Sequence, residues 1–142
     1  MGKLENALQT KCIEYLKEKD IYYINKYGDG RSGLGAPDLI TCINGRFVAF
    51  ELKVENNDLS NAQKIHKKRI ERNGGKHYKP YTLEEFIACV EKEVIEMLTI
   101  RTNVEEMLET GFTIEQIVQI TGYTADYVKK IESDWRKQIK QK

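Results

Sequence analysis

The dipeptide Asn44-Gly45 constrains the fold of this chain more than any other short stretch of its sequence. It separates two apolar runs, residues 39–43 and 47–52. It is the strongest short hairpin signal, because a type I′ turn needs a positive φ angle at both central positions. The register follows by counting outward from the turn: Ile43 faces Arg46, Cys42 faces Phe47 and Ile40 faces Ala49. The pattern therefore predicts a β-hairpin and the neighbours of each residue within it.

Charged residues lie at the open end of this hairpin. The same counting brings Asp38 opposite Glu51, with Cβ atoms ~5 Å apart, and Lys53 points to the same face. Facing carboxylates repel each other, and Mg²⁺ would offset the repulsion, because it prefers one or two carboxylates with waters and phosphate oxygens. Lys53 could then hold a phosphate, or orient or deprotonate the attacking water, during metal-assisted phosphodiester hydrolysis. The alternative is a turn acid after Pro37 and a surface ion pair between Glu51 and Lys53.

The segments around the hairpin predict further strands and flanking helices. A periodic apolar pattern indicates a helix over residues 3–19, and β-branched and aromatic residues indicate a strand over residues 21–27. A glycine-rich loop covers residues 28–36. Capping-box spacings and turn residues predict the elements that follow the hairpin: a helix over residues 60–73, a short strand over residues 76–80, and a helix from Thr82 to about Val94.

Positive charge is concentrated in one short stretch. The chain of 142 residues has a net charge of only +1, yet residues 62–80 hold seven lysines and arginines against the single acid Glu71. Such a patch can bind nucleic-acid phosphates even when the whole chain is nearly neutral, and the alternative is a solvated helix face. The predicted DNA-binding side chains of this stretch are Lys64, Lys67, Lys68, Arg69 and Arg72.

The last part of the chain predicts a separate all-α module. We place the boundary between residues 95 and 102, which gives domains 1–94 and 95–142. Three helices are predicted in the module: residues 103–110, 113–121 and 124–140. The expected small core consists of apolar residues on these helices: Ile117, Ile120, Val128 and Ile131.

The spacing of Val118, Gly122 and Val128 resembles that of a helix-turn-helix. In that interpretation the helix that begins at Thr124 enters the major groove, and Lys129 and Lys130 contact DNA. The alternative is an interaction or dimerisation module that uses the same packing.

The hairpin and its flanks resemble the VRR-NUC family of the PD-(D/E)xK nuclease superfamily. The resemblance covers about residues 3–93. The matching features occur in the order of that family: Glu5 in the first helix, the loop 28–36, Asp38, Glu51-x-Lys53 and Leu59-Ser60-x-x-Gln63. The resemblance implies a restriction-endonuclease-like α/β core, in which a mixed four-stranded sheet is flanked by helices.

The same resemblance implies roles for individual residues. Mg²⁺ or Mn²⁺ would be held by Asp38, Glu51 and the backbone carbonyl of Leu52, and Glu5 would be a second acid near the metal. Gln63 would face the site, although a capping-box role with Ser60 explains it equally well. The alternative for Glu5 is an exposed acid that suits the first turn of a helix.

The expected activity is that of a Mg²⁺-dependent DNA endonuclease of phage type, which acts as a homodimer on branched or junction DNA. The alternative is a non-catalytic DNA-binding regulator that uses the C-terminal helix-turn-helix.

No apolar run approaches the ~18 residues of a membrane span, and the first residues resemble no signal peptide. We therefore expect no membrane partner and a cytoplasmic location, in a bacterial host cell if the chain is phage-encoded. The cysteines Cys12, Cys42 and Cys89 fit no zinc spacing, which predicts buried, reduced thiols.

Overall fold

The computed structural model describes residues 3–25, 35–54 and 57–140. These ranges contain four strands and five helices, in the order α1 (Lys3–Glu18), β1 (Tyr22–Asn25), β2 (Leu39–Ile43), β3 (Arg46–Phe50), α2 (Asn61–Arg72), β4 (Lys76–Tyr78), α3 (Leu83–Glu109), α4 (Ile114–Thr121) and α5 (Ala125–Ile139). Residues 26 and 27 of the predicted first strand, and residues 28–34 of the predicted loop, lie outside the described residues.

The four strands form one mixed sheet in the order β1-β2-β3-β4. The β1–β2 and β2–β3 pairs are antiparallel, whereas β3 and β4 are parallel. The predicted hairpin register is confirmed for three pairs, Ile43 with Arg46, Cys42 with Phe47, and Ile40 with Ala49, whereas the predicted pair of Asp38 with Glu51 lies beyond the last paired residues. Asn44 and Gly45 have φ angles of 48° and 90°, as a type I′ turn requires.

The chain divides into two compact units, Met1–Val94 and Ile95–Lys142. In the first unit the core lies on one face of the sheet, where Phe50 of β3 meets Leu16 of α1 and Phe86 of α3. The rings of Phe50 and Phe86 are 4.6 Å apart between centroids, and all three of these side chains are fully buried. Strand side chains alternate between faces, so the hairpin residues of opposite parity point away from this core, toward α2.

Helix α3 corrects one prediction. It runs without interruption from Leu83 to Glu109, so both the predicted end near Val94 and the separate helix over residues 103–110 are wrong. The stretch 95–102 contains neither glycine nor proline, and nothing in its local sequence breaks a helix. The division of the chain into two units therefore falls within a helix.

The second unit has a small core. Its fully or nearly buried residues come from three helices: Val104, Ile117, Val128 and Ile131. The prediction that Ile120 belongs to this core is wrong, because its side chain is 58% exposed. The buried stripe of α4 passes through Ile114, Ile117 and Val118, and Val104 of α3 completes the core instead.

The cysteines differ from one another in exposure. Cys12 is buried in the first core, and burial raises the pKa of its thiol to about 12. Cys89 is partly buried, but Cys42 is exposed, so its predicted burial is wrong. Cys42 lies on the face of β2 that is opposite to the core.

Among the described helices, none combines the length and apolar character that crossing a membrane requires.

Candidate active site

Two acids meet at the open end of the hairpin. Asp38 directly precedes β2 and Glu51 directly follows β3, one step beyond the last paired residues, Leu39 and Phe50. Both acids are buried, with 8% and 2% of their surface exposed. The backbone N–H of Leu52 donates a hydrogen bond to Asp38 Oδ2 at 2.9 Å, which ties the carboxylate of one strand to the backbone of the other.

Lys53 reaches back to Glu51. Its Nζ lies 3.0 Å from Glu51 Oε1, and the two side chains are only 14% and 3% exposed. The backbone holds both residues, because the N–H of Glu51 donates to Tyr78 O at 3.0 Å and the N–H of Lys53 donates to Pro80 O at 3.1 Å. The β3–β4 pairing thus continues past the strands and positions the charged side chains.

Gln63 has both of the roles that its position in the sequence allowed. The Oε1 atom of Gln63 accepts the backbone N–H of Ser60 at 2.8 Å, and the backbone N–H of Gln63 donates to Ser60 Oγ at 3.3 Å. These two hydrogen bonds complete the capping box of α2. Its Nε2 meanwhile donates to Glu51 Oε1. Because the cap engages the amide oxygen, the amide nitrogen is oriented toward the carboxylate. Glu51 Oε1 thus receives hydrogen bonds from both Gln63 and Lys53.

The oxygen atoms at this end of the sheet suit a hard divalent cation. A residue in a strand directs its N–H and its C=O toward the same neighbouring strand. Since the N–H of Leu52 points at Asp38, its carbonyl oxygen points to that side as well. Two carboxylates and a carbonyl form an all-oxygen ligand set, which suits Mg²⁺ or Mn²⁺ better than zinc. The residues implied by the resemblance are therefore chemically able to hold such an ion.

Gly35 brings the segment before Asp38 against α2. Its φ angle is +82°, and a Cβ atom at this position would lie 2.6 Å from the carbonyl carbon of Ala62 and 2.7 Å from the backbone nitrogen of Gln63. Only glycine permits that approach without displacing the first turn of the helix. The sequence indicated a glycine-rich loop here, but not which glycine contacts the helix.

Glu5 lies in the first turn of α1 and is partly buried. One turn further along, Gln9 is 8% exposed and its Nε2 donates to Asn25 Oδ1 at 2.7 Å. Asn25 pairs with Leu39, the residue after Asp38, so this contact holds a face of α1 beside the end of the sheet that carries the acids. Sequence reasoning missed Gln9 and Asn25, since neither lies in a recognisable motif.

The basic face of α2 differs from residue to residue. Lys64 binds Asp58 at 3.0 Å, and Lys79 binds the same carboxylate at 3.2 Å. The N–H of Leu59 and then these two lysines hold the pKa of Asp58 well below its usual range. Lys67 lies 3.9 Å from Glu71. The remaining predicted cations of the helix are exposed: Lys68, Arg69 and Arg72.

His77 lies in the predicted short strand and has an unusual environment. It lies in β4 beside Ala49, is 6% exposed, and neither ring nitrogen has a hydrogen-bond partner among the described residues. Burial, and then the nearby charge of Lys67, lower its pKa. His66 is partly buried on α2. Neither histidine contacts the carboxylates through a hydrogen bond in the described part of the chain.

In the second unit, side chains cap the N-termini of both α4 and α5. Thr113 and Gln116 form a capping box, Gly122 ends α4 with a φ angle of 73°, and the hydroxyl of Thr124 accepts the N–H of Tyr127. Lys129 and Lys130 are exposed on α5. Trp135 donates to Glu109 Oε1 at 3.4 Å, so it makes a contact within the module.

The first unit has a restriction-endonuclease-like α/β fold: a mixed four-stranded sheet with helices on both faces. Comparison with solved structures finds a similar chain described as "VRR_NUC domain". The TM-score is 0.52 at 22% sequence identity, and the match covers 61% of this chain and 94% of that chain. This similarity supports the resemblance found in the sequence, and at this identity it defines the fold. No family model and no curated protein matches the chain.

Proposed function

We propose that this chain is a metal-dependent DNA endonuclease. The observation that carries the proposal is the convergence of four side chains, Asp38, Glu51, Lys53 and Gln63, at one end of a sheet with the fold of a VRR_NUC domain. Glu51 is held by a lysine and an amide, and Asp38 is held by the backbone N–H of Leu52, so the two buried acids form a preorganised polar site, which is what hydrolysis of a phosphodiester requires.

Each residue has a distinct role in this proposal. Asp38, Glu51 and the carbonyl of Leu52 would hold Mg²⁺ or Mn²⁺, which would supply Lewis-acid polarisation of a phosphoryl oxygen. Lys53 stands beside Glu51 and donates a hydrogen bond to the scissile phosphate or to the attacking water. Gln63 fixes the orientation of the Glu51 carboxylate through its amide nitrogen.

The DNA backbone is bound by the exposed cations of α2. The N-terminus of this helix lies at the acids, because Gln63 in its first turn contacts Glu51. Lys68, Arg69 and Arg72 follow along the helix and neutralise phosphates on one side of the scissile bond. Lys67 joins them when its contact with Glu71, 3.9 Å long and half-exposed, exchanges for a phosphate.

The second candidate function is a DNA-binding regulator without catalysis. The arrangement of α4, the Gly122 turn and α5 favours it, since the exposed Lys129 and Lys130 lie on the helix that would enter a major groove. In the endonuclease proposal this module contributes additional DNA contacts. The two functions differ in one measurable result, which is whether a phosphodiester bond is broken.

The test is cleavage of supercoiled plasmid and of a four-way junction with Mg²⁺, with Mn²⁺ and with EDTA. We expect cleavage with the metals and none with EDTA. Glu51→Gln keeps the shape of the side chain but removes its charge, and we expect about 100-fold slower cleavage or less activity still. Glu91→Gln, the same change at an exposed position of α3, serves as the matched control and keeps wild-type activity.

Binding without cleavage of any substrate under every metal condition would overturn the endonuclease proposal and favour the regulator. Equal cleavage rates for Glu51→Gln and Glu91→Gln would place the chemistry elsewhere in the molecule.

A further inference from the structure

A groove lies on the same face of the sheet as the acids, at the opposite end of β3. Its volume is about 320 Å³, and it is lined by five residues: Phe47, Arg69, Ile70, Asn73 and Gly75. Phe47, Ala49 and Glu51 alternate onto one face of the strand, so the groove and the acidic end share that face. Phe47 and Glu51 are four residue steps apart along an extended backbone, a distance of roughly 13 Å.

The groove depends on a glycine. A Cβ atom on Gly75 would lie 2.8 Å from Ile70 Cγ2 and 3.2 Å from Phe47 Cδ1. Any side chain at this position would therefore fill the floor of the groove and displace the ring of Phe47. Phe47 is 45% exposed, although its side chain is large and apolar.

The lining combines an aromatic ring, a guanidinium group and a carboxamide. Arg69 makes no ion pair within the described ranges, and it lies in the last turn of α2 beside Arg72. Asn73 uses its Nδ2 to donate to Arg69 O at 2.7 Å. Nucleobases stack on aromatic rings and on guanidinium planes, and carboxamides hydrogen-bond to base edges. These groups together match the chemistry of a nucleobase attached to a phosphate.

We infer that this groove, the Phe47 groove, binds an unpaired nucleotide of the DNA substrate. A base inside a duplex has both faces covered by its neighbours, so only an unpaired or extruded base can stack on Phe47. The volume lies at the lower end of small-ligand pockets, which suits one nucleotide and excludes a duplex. The inference rests on the proposed function in taking DNA as the ligand.

Helix α2 connects the groove with the acidic end. Gln63 in its first turn contacts Glu51, and Ile70 near its last turn lines the groove, so the helix follows β3 in the opposite direction. The exposed Lys68 lies between them on the helix. At a rise of about 3.4 Å per stacked nucleotide, a separation of roughly 13 Å corresponds to about four nucleotides, and to fewer in an extended strand. The chain would thus select DNA that has an unpaired nucleotide within a few positions of the scissile phosphate.

The test measures binding in EDTA, where no cleavage occurs. Two DNAs are compared by fluorescence anisotropy: a blunt duplex, and the same duplex with a four-nucleotide unpaired tail that carries 2-aminopurine. We expect tighter binding of the tailed DNA, with quenching of 2-aminopurine as it stacks. Phe47→Leu keeps an apolar side chain but removes the ring, and should weaken only the tailed complex, by about 5- to 20-fold.

Two matched variants separate stacking from general effects. Phe112→Leu makes the same change at a phenylalanine that is 40% exposed in the second unit, and should leave the preference for tailed DNA unchanged. Arg69→Gln should weaken the tailed complex more than the blunt complex, whereas Arg72→Gln, which removes the same charge outside the groove, should weaken both complexes equally. Arg69→Gln also tests the inference if Phe47→Leu does not fold, because Arg69 is an exposed helix residue.

Three results would overturn the inference. The first is equal affinity of the wild type for both DNAs, and the second is an unchanged preference for tailed DNA in Phe47→Leu and Arg69→Gln. The third is a change of sedimentation from dimer to monomer in Phe47→Leu while the preference for tailed DNA is retained. The last result would make the groove a contact between two copies of the chain. A wild type that cleaves DNA with Mg²⁺ but shows any of these results keeps the proposed function and loses the groove. A wild type that prefers tailed DNA through Phe47 but cleaves nothing keeps the groove and loses the endonuclease.

Discussion

Replacing Lys53 with methionine would reveal how much of the charge at the acidic end must be neutralised for the first unit to fold. Lys53 Nζ lies 3.0 Å from Glu51 Oε1, and both side chains are largely buried. Methionine keeps most of the length of the lysine stem but carries no charge. Glu51 would retain the hydrogen bond from Gln63 and lose its bonded cation.

The expected cost follows from the geometry. Two unit charges at 3.0 Å attract each other by about 5 kcal/mol at an effective dielectric constant of about 20. Breaking a buried pair by removing one partner costs roughly 3–5 kcal/mol, and the residual exposure of Lys53 favours the lower end of that range. We therefore expect Lys53→Met to lower the free energy of unfolding of the first unit by about 3 kcal/mol. The double variant Glu51→Gln/Lys53→Met should recover most of this loss, since it removes the negative charge together with the positive one.

The assay has to report on the first unit alone, because the single tryptophan, Trp135, lies in the second unit. Cys12 provides this report, since it is fully buried in the first core. Pulsed thiol labelling in urea with EDTA, followed by mass spectrometry of the Cys12 peptide, gives the unfolding midpoint. Lys68→Met, at an exposed position of α2, is the matched control and should change the stability by less than about 0.5 kcal/mol.

Magnesium extends the same experiment to metal binding. If the carboxylates hold the cation, Mg²⁺ should stabilise Lys53→Met more than the wild type, because in Lys53→Met no lysine charge lies beside Glu51 to repel the metal ion. Binding to the folded state alone then shifts unfolding by mass action. An unchanged midpoint for Lys53→Met in EDTA would refute the reasoning about charge. Equal stabilisation by Mg²⁺ of Lys53→Met and of the double variant would refute the assignment of Glu51 as a ligand.

Three further predictions follow from the site. Gly35→Ala should abolish most cleavage activity by displacing the start of α2. Gly45→Ala has a similar positive φ angle but no atom within 4 Å, and should cost only the backbone strain of about 1–2 kcal/mol in urea unfolding. Similar cleavage activities of the two variants would contradict the contact between Gly35 and α2. Ser60→Ala should lower the free energy of unfolding by about 1 kcal/mol with little effect on kcat/KM. Gln63→Ala should lower stability and also reduce kcat/KM by roughly 10- to 100-fold. Equal effects of the two variants on kcat/KM would mean that Gln63 serves only to cap the helix. Burial lowers the pKa of His77, so the unfolded state binds a proton at this histidine more readily than the folded state does. The stability of the first unit should therefore fall as the pH drops below about 6.5, by at most about 1.4 kcal/mol per pH unit. His77→Leu should remove that decline, and a decline that persists in His77→Leu would exclude His77 as the cause.

Part of the acidic end could be predicted from the hairpin alone. A two-residue turn with positive φ angles sets the register, and side chains alternate with a period of two, so counting from Asn44 and Gly45 brings Asp38 and Glu51 to the same end. These are local rules that hold wherever the hairpin forms. The capping box at Ser60 and Gln63 was also predictable, since its three-residue spacing is a property of the helix itself.

Other features had no such local signal. Glu93 is an acid on a helix, which a sequence pattern assigns to the surface, yet it is fully buried because Arg46 binds it at 2.8 Å and Tyr78 donates to it. The exposure of Cys42 and the continuity of α3 past Val94 were likewise missed. Each depends on partners that are distant in sequence or on the absence of a helix breaker, and periodicity describes neither.

The sequence by itself determined the strands, most of the helices, the hairpin register and the residue types at its open end, because these follow from backbone geometry over a few neighbouring positions. Only the tertiary structure decided that the Gln63 amide donates to Glu51, that Gly35 lies against α2, and that Phe47 remains exposed beside Arg69. Each of these depends on how α2 lies across the sheet. That placement results from long-range packing and the glycines that permit close approach.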